Sequence, residues 1–207
     1  MATAWFILLG FMLIMYVILD GFDLGAGILQ PLVSRSDEDR RTVLAAIGPL
    51  WDGNEVWLLA SGGLLVFAFP AVYAAAFSGF YLPLMMVLWL LVLRGLAIAL
   101  RSPPDNVLWH QFFDVVFAFA STVLALVLGV ALGNVLRGVP IDQTGTFEIS
   151  LFAGQPGEVG AVDWYTASVG GFAVCVLAAH GWPFGPWTTC LSASPSWSIR
   201  RTSSPPP

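Results

Sequence analysis

The sequence predicts an all-α membrane protein: an antiparallel transmembrane four-helix bundle plus a fifth helix, with a disordered C-terminal tail. Three observations carry that expectation. The 207 residues are 57% hydrophobic and 10% charged, whereas soluble domains carry about 25% charged residues. Five apolar stretches each approach or exceed the roughly 20 residues that cross a ~30 Å hydrocarbon layer. Barrel-type alternation is absent, and a chain in lipid must satisfy its backbone polar groups internally, which leaves helices.

The stretches run from about Ala4 to Leu29, Leu50 to Phe69, Ala74 to Leu100, Phe112 to Leu132 and Val162 to Ala179. The first is not expected to be a cleaved signal peptide. No basic residue precedes it, and it runs into Asp20-Gly-Phe-Asp23 rather than a small-residue cleavage site. The segment Ser34 to Arg41 joins the first two spans and carries three arginines. Pro70-Ala-Val-Tyr73 is expected to be a tight uncharged turn, and Arg101-Ser-Pro-Pro104 joins spans three and four. A longer Gly-rich loop from Gly133 to Gly160 holds Arg137 as its one basic residue. Counting arginines, since lysine is absent, places the joins after spans one, three and five in the cytoplasm and the N-terminus outside. Residues 1–181 then form the transmembrane domain. Residues 182–207, rich in Pro, Ser and Trp, lack helical or strand period and are expected to be disordered.

Ionisable groups inside membrane spans cost about 2.5–3.5 kcal/mol each at the centre and mark function by default. Tyr16, Asp20, Asp23 and Gly27 fall on one face of the first helix; Asp52, Glu55, Leu59 and Gly62 do the same on the second. Arg94 lies in the third, His110 and Asp114 open the fourth, and His180 closes the fifth. With the N-terminus outside, all of these lie toward the cytoplasmic side, and the outer halves hold almost nothing ionisable. Four carboxylates there are not all stable as anions, and Arg94 is placed to hold one ionised. Asp20, Asp23, Asp52 and Glu55 are therefore the candidate proton pathway, most strongly Asp20 in mid-stretch. Asp52 and Glu55 also read as helix N-terminal acids favoured by the macrodipole.

Other signals are coarser. Gly21-x-x-x-Gly25 fits close helix packing. His110 and His180 lie at helix ends and read as interfacial rather than as haem ligands, and several tryptophans fall near interfaces as anchors. Cys175 and Cys190 have no metal-ligand spacing. No catalytic residue and no metal site is expected in this chain, and an acidic balance of −5 argues against nucleic acid.

Two segments carry a family likeness: Asp20-Gly-Phe-Asp-Leu-Gly-Ala-Gly27 and Pro49-Leu-Trp-Asp-Gly-Asn-Glu-Val-Trp-Leu58, followed by Phe69 to Tyr81 and Gly129 to Pro140. Together they resemble subunit II of the cytochrome bd-type quinol oxidases, including the cyanide-insensitive branch, from about residue 5 to Gly181. The resemblance implies a haem-free subunit in a bacterial cytoplasmic membrane. It would stabilise a haem-bearing subunit I, which holds haems b558, b595 and d and the quinol site, and would line a cytoplasmic proton-uptake path. Quinol and oxygen would be handled by the complex, and a structural quinone or lipid is compatible with this chain. Family acids of the path match Asp20 and Asp52, with Trp51, Asn54, Trp57 and Arg94 as the supporting motif. Family members are longer, with two related bundles, and continue as helix where this chain turns Pro-rich after Gly181. The expectation is that the native protein is longer and that 182–207 are read out of frame. The rival readings are a proton-coupled transporter and a truncated, non-functional fragment.

Overall fold

The computed structural model describes residues 1–34, 36–102, 106–142, 145, 147, 149–152 and 160–183. Within them the chain forms α1 (Ala2–Val33), α2 (Asp37–Ile47), α3 (Trp51–Ala68), α4 (Pro70–Gly79), α5 (Tyr81–Leu100), α6 (Val107–Arg137) and α7 (Trp164–Gly181), with no strand. The all-helical class is as expected. Of the tail, Trp182 and Pro183 are described; the disorder expected beyond them lies outside the described residues.

α1 and α6 form the centre. α3 and α7 pack on α1, while α5 and α7 pack on α6. By length and composition, α1, α5 and α6 are able to cross a membrane. α3 and α7 are 18 residues each; the first carries Asp52 and Glu55, and the second carries His180 in its last turn. The outward faces are apolar, with Phe6, Ile14, Phe67, Trp89 and Phe172 exposed. Lipid is the solvent for such a surface.

Three local outcomes differ from the sequence expectation. The third stretch is not one helix, since Phe80 interrupts it between α4 and α5. Pro70-Ala-Val-Tyr73 is no turn but the opening of α4, with Pro70 at the first helical position, where its missing N–H costs nothing. The arginine-rich join contains α2. Ser36 accepts from the Asp39 amide and Asp39 accepts from the Ser36 amide, closing a capping box, and Asp37, Glu38 and Asp39 complement the dipole. The apolar side of α2 holds it down, with Val43 and Ile47 buried against Ala26, Ala97, Phe113 and Phe117.

α7 returns along α6 and is clamped at both ends. At its start Asp163 and Thr166 form a capping box, and Arg137 pairs with Asp163 while donating to Asn134 Oδ1 and the Gly160 carbonyl. Near its end, α7 crosses α1 at Gly25, where a Cβ would lie 2.7 Å from the Gly181 nitrogen. The small-residue motif therefore serves close approach to α7, as expected.

Candidate functional site

Two layers of polar groups lie inside the bundle on the side of it that carries α2. The deeper one lies on the face of α1 that carries Tyr16, Asp20 and Asp23, all buried. Arg94 of α5 reaches it with a side chain that is 0% exposed. Its Nη2 stands 2.5 Å from Asp20 Oδ1 and 2.5 Å from Glu55 Oε1. Asn54, one residue before Glu55, donates to Asp23 Oδ2 at 2.8 Å. One guanidinium is thus shared by acids from two helices, with a third acid held by an amide. The apolar run from Ala4 to Leu19 spans about 24 Å at 1.5 Å per residue, so Asp20 begins the far side of a ~30 Å hydrocarbon layer.

The second layer lies nearer the end of the bundle that carries α2. Asp114 of α6 accepts from Arg101 Nε at 2.7 Å, Arg101 Nη2 at 3.1 Å, Gln30 Nε2 at 3.0 Å and Arg40 Nη1 at 3.2 Å. Arg101 also donates to Asp37 at 2.7 Å, and His110 Nδ1 lies 3.7 Å from the same carboxylate. Asp37 is held below its ordinary 3.8: partial desolvation pushes it up, but the hydrogen bond and charge of Arg101, with Arg41 and His110, outweigh that. The cluster lines a cavity of about 570 Å³ bounded by Ser36, Asp37, Arg40, His110, Gln111 and Asp114. A second cavity, of about 270 Å³, reaches Gln30.

Between the layers lies an apolar partition of Ala26, Ala97, Phe113 and Phe117, with Trp51 packed against it. Trp51 crosses α5 at Gly95, where a Cβ would stand 3.0 Å from its ring. Trp57 packs edge-on against Phe11, away from both layers.

Of the sequence-predicted residues, the structure brings Asp20, Asp23, Asn54, Glu55 and Arg94 together. It does not bring in Asp52. That side chain is exposed in the first turn of α3, on the same outward side as Leu59, and a Cβ on Gly62 would meet nothing. The expected single face of Asp52, Glu55, Leu59 and Gly62 is therefore split: Glu55 turns to Arg94 and the rest look outward. Three residues advance a helix 300°, and that 60° shortfall is enough to part Asp52 from Glu55.

The second layer is the part that sequence reasoning missed. Its signals were present: Gln30 continues the α1 face of Tyr16, Asp20, Asp23 and Gly27 by one further step, and Ser36-x-x-Asp39 is a cap pattern. His110 belongs to this layer. His180 sits elsewhere, with Nε2 3.0 Å from the Ile18 carbonyl and its ring 4.4 Å from Phe22. Ile18 and Gln30 are about 18 Å apart along α1, so the two histidines do not frame one haem plane. Among the described residues, no group of three or more His, Cys, Asp or Glu is placed to hold a metal ion.

Comparison with known proteins joins this geometry to a family. Residues 1–194 match the family model described as cytochrome bd terminal oxidase subunit II. The chain is 44% identical over 138 residues to the cytochrome bd-I ubiquinol oxidase subunit 2 of Escherichia coli K12, covering 67% of this chain and 36% of that protein. It is 44% identical over 151 residues to the probable cytochrome oxidase subunit 2 of Haemophilus influenzae, covering 69% and 40%. It is 40% identical over 138 residues to the cytochrome bd ubiquinol oxidase subunit 2 of Bacillus subtilis, covering 67% and 41%. The chain spans about two fifths of the length of these relatives.

Proposed function

Since the chain belongs to the cytochrome bd terminal oxidase subunit II family, we propose that it serves as the haem-free second subunit of a bd-type quinol:oxygen oxidoreductase in a bacterial cytoplasmic membrane. Haems b558, b595 and d, held by a subunit I, would supply the electron transfer and oxygen chemistry. This chain contributes a helical scaffold for that partner and a path for the protons consumed when oxygen becomes water.

The observation that carries this reading is Arg94 shared between Asp20 and Glu55 inside the apolar layer. One cation faces two acids, and Asp23 adds a third nearby. A proton arriving there neutralises surplus negative charge instead of creating an unbalanced buried charge, and a proton leaving meets a guanidinium that compensates the anion. Both directions are therefore cheap relative to a lone buried carboxyl.

Orientation follows from the arginines. Arg40, Arg41 and Arg101 gather at the α2 end, which supports a cytoplasmic position for that end and an N-terminus on the outside. α3 and α7 complete five crossings within residues 1–181. Asp52, outward-facing on α3, is unfavourable against lipid, which supports a partner subunit covering this face. In that setting Asp52 is the station through which protons leave the Arg94 cluster for subunit I.

The test is affinity purification of the tagged chain from a strain deleted for its own subunit II. A co-purifying haem-bearing partner with restored quinol-driven oxygen uptake is expected. Recovery of the chain from the membrane with no haem protein attached overturns the assignment.

A further inference from the structure

The cavity at the α2 end has two properties that the pairing of its own charges leaves unexplained. Arg40, Arg41 and Arg101 face the carboxylates of Asp37 and Asp114, so the described residues around it hold one positive charge in surplus. Its walls also keep polar atoms without a hydrogen-bond partner among the described residues. One is Nε2 of His110, a wall residue of the 570 Å³ cavity that is 8% exposed. The other is Oε1 of Gln30, which is 2% exposed and lines the adjoining cavity of about 270 Å³. Buried polar groups left dry destabilise a fold, so each points to a partner that the chain itself does not supply.

Depth and surroundings narrow the kind of partner. From Ala4 to Gln30, α1 rises about 39 Å, against ~30 Å of hydrocarbon and roughly 40–45 Å with both head-group regions. Gln30 therefore stands at head-group level. The walls change character there. Ser36, Asn106 and Gln111 are polar, whereas Val107 and Val115, 70% and 68% exposed, open the cavities sideways onto the apolar flank of α6. Pro31 and exposed Leu32 extend that flank onto α1. α6 also begins at the cavity, with Asn106 as its N-cap, so the positive end of its dipole adds to the arginines. A polar chamber with surplus positive charge and an apolar side exit fits an amphiphile with an anionic head.

We propose that the cavity at the α2 end binds the head group of an anionic phospholipid with one net charge and free hydroxyls, of the phosphatidylglycerol class. Basic pockets between spans at a membrane face suit such heads. The phosphodiester takes up the surplus charge beside Arg40 and Arg41 and accepts from Nε2–H of His110. A glycerol hydroxyl donates to Gln30 Oε1. The acyl chains leave past Val107 and Val115 and lie along α1 and α6. A zwitterionic head brings no net charge to match the surplus, and a soluble phosphate has no chain for the side exit. The site is separate from the Arg94 cluster and does not depend on proton delivery.

The experiment places the full chain in phosphatidylcholine vesicles with a trace of lipid carrying a photoreactive group in one acyl chain. In one arm the traced lipid is phosphatidylglycerol; in the other it is phosphatidylcholine with the same chains. After illumination, mass spectrometry locates the attached lipid. Peptides holding Leu32, Val107 and Val115 should carry about fivefold more label, or greater, in the first arm. Gln111→Glu adds a carboxylate to the cavity wall, consumes the surplus charge and should lower that label about fivefold. Gln111 is exposed and joins none of the layer's hydrogen bonds among the described residues, so the change removes no bond of the fold. Ala46→Glu puts the same charge on an exposed position of α2 outside both walls and should leave the label unchanged. Equal labelling by the two lipids in the unaltered chain overturns the site. So does an equal loss in both variants, which means attraction to a basic surface rather than to a pocket. Excess inorganic phosphate should not displace the label; displacement gives the cavity to a soluble phosphate and overturns the lipid assignment.

Discussion

Arg94 of α5 and Asp20 of α1 meet at 2.5 Å with neither side chain exposed. Glu55 shares the same nitrogen and retains 16% exposure. A buried cation holding acids from two other helices makes the deep layer a mechanical joint as well as a charge store.

Arg94→Leu should therefore be among the most damaging single changes in the chain. It leaves Asp20 and Glu55 buried without a counter-ion, a loss of about 3–5 kcal/mol. The double variant Arg94→Leu with Asp20→Leu should recover much of that, because an apolar pair can replace a buried ion pair. Thermal inactivation of the chain in membranes measures both; equal loss in the single and double variants contradicts the joint.

Asp114→Ala removes the acceptor of four hydrogen bonds and frees α2 at one side. The expected cost is about 2–4 kcal/mol, concentrated in local opening. Hydrogen exchange should rise on α2 first and leave α7 unchanged. Uniform exchange across both helices contradicts this assignment.

Asp163 supplies a pH dependence at the opposite end of the bundle. The Thr166 amide above all, with the Thr166 hydroxyl and Arg137, holds its carboxyl below the ordinary 3.8 and outweighs the opposing desolvation. Its folded value lies below its unfolded one, so its stabilisation is full above pH 3.8 and disappears as pH falls through the folded value. Amide exchange at Thr166 and Ala167 should stay flat from neutral pH down to about 4 and accelerate below it, after correction for intrinsic rates. Asp163→Asn should abolish that pH-dependent change.

Gly25→Leu should push α7 off α1, because even a Cβ at this position lies 2.7 Å from the Gly181 nitrogen. An overpacking cost of about 1–3 kcal/mol is expected. Gly53→Leu, where a Cβ would meet nothing, is the control in the isolated chain. Cysteine cross-linking between α1 and α7 should fall in the first variant and persist in the second.

Much of this was legible in the sequence, for identifiable reasons. The face of Tyr16, Asp20, Asp23 and Gly27 was readable because helical period survives in a long uninterrupted apolar run. Arg94 stood out because a lone cation in such a run needs an acid. α2 was not legible as a helix, because eleven residues with three acids and two arginines at its start read as a solvated join. The Asp114–Arg101–Asp37 layer was missed with it, since its members come from four separate segments and meet only after folding. Asp52 was grouped with Glu55 by spacing alone, and spacing cannot say which flank of a first turn meets a neighbour. The break at Phe80 left no Gly or Pro at its own position to mark it.

The measurement closest to the central claim is steady-state oxygen consumption by the assembled oxidase carrying Asp20→Asn, read beside its haem absorption spectrum. Asn keeps the size and a hydrogen-bond acceptor for Arg94 but cannot carry a proton. The expected result is turnover lowered about tenfold or more with an unchanged haem spectrum. Normal turnover in Asp20→Asn, and again with Asp52→Asn added, contradicts proton delivery through this chain.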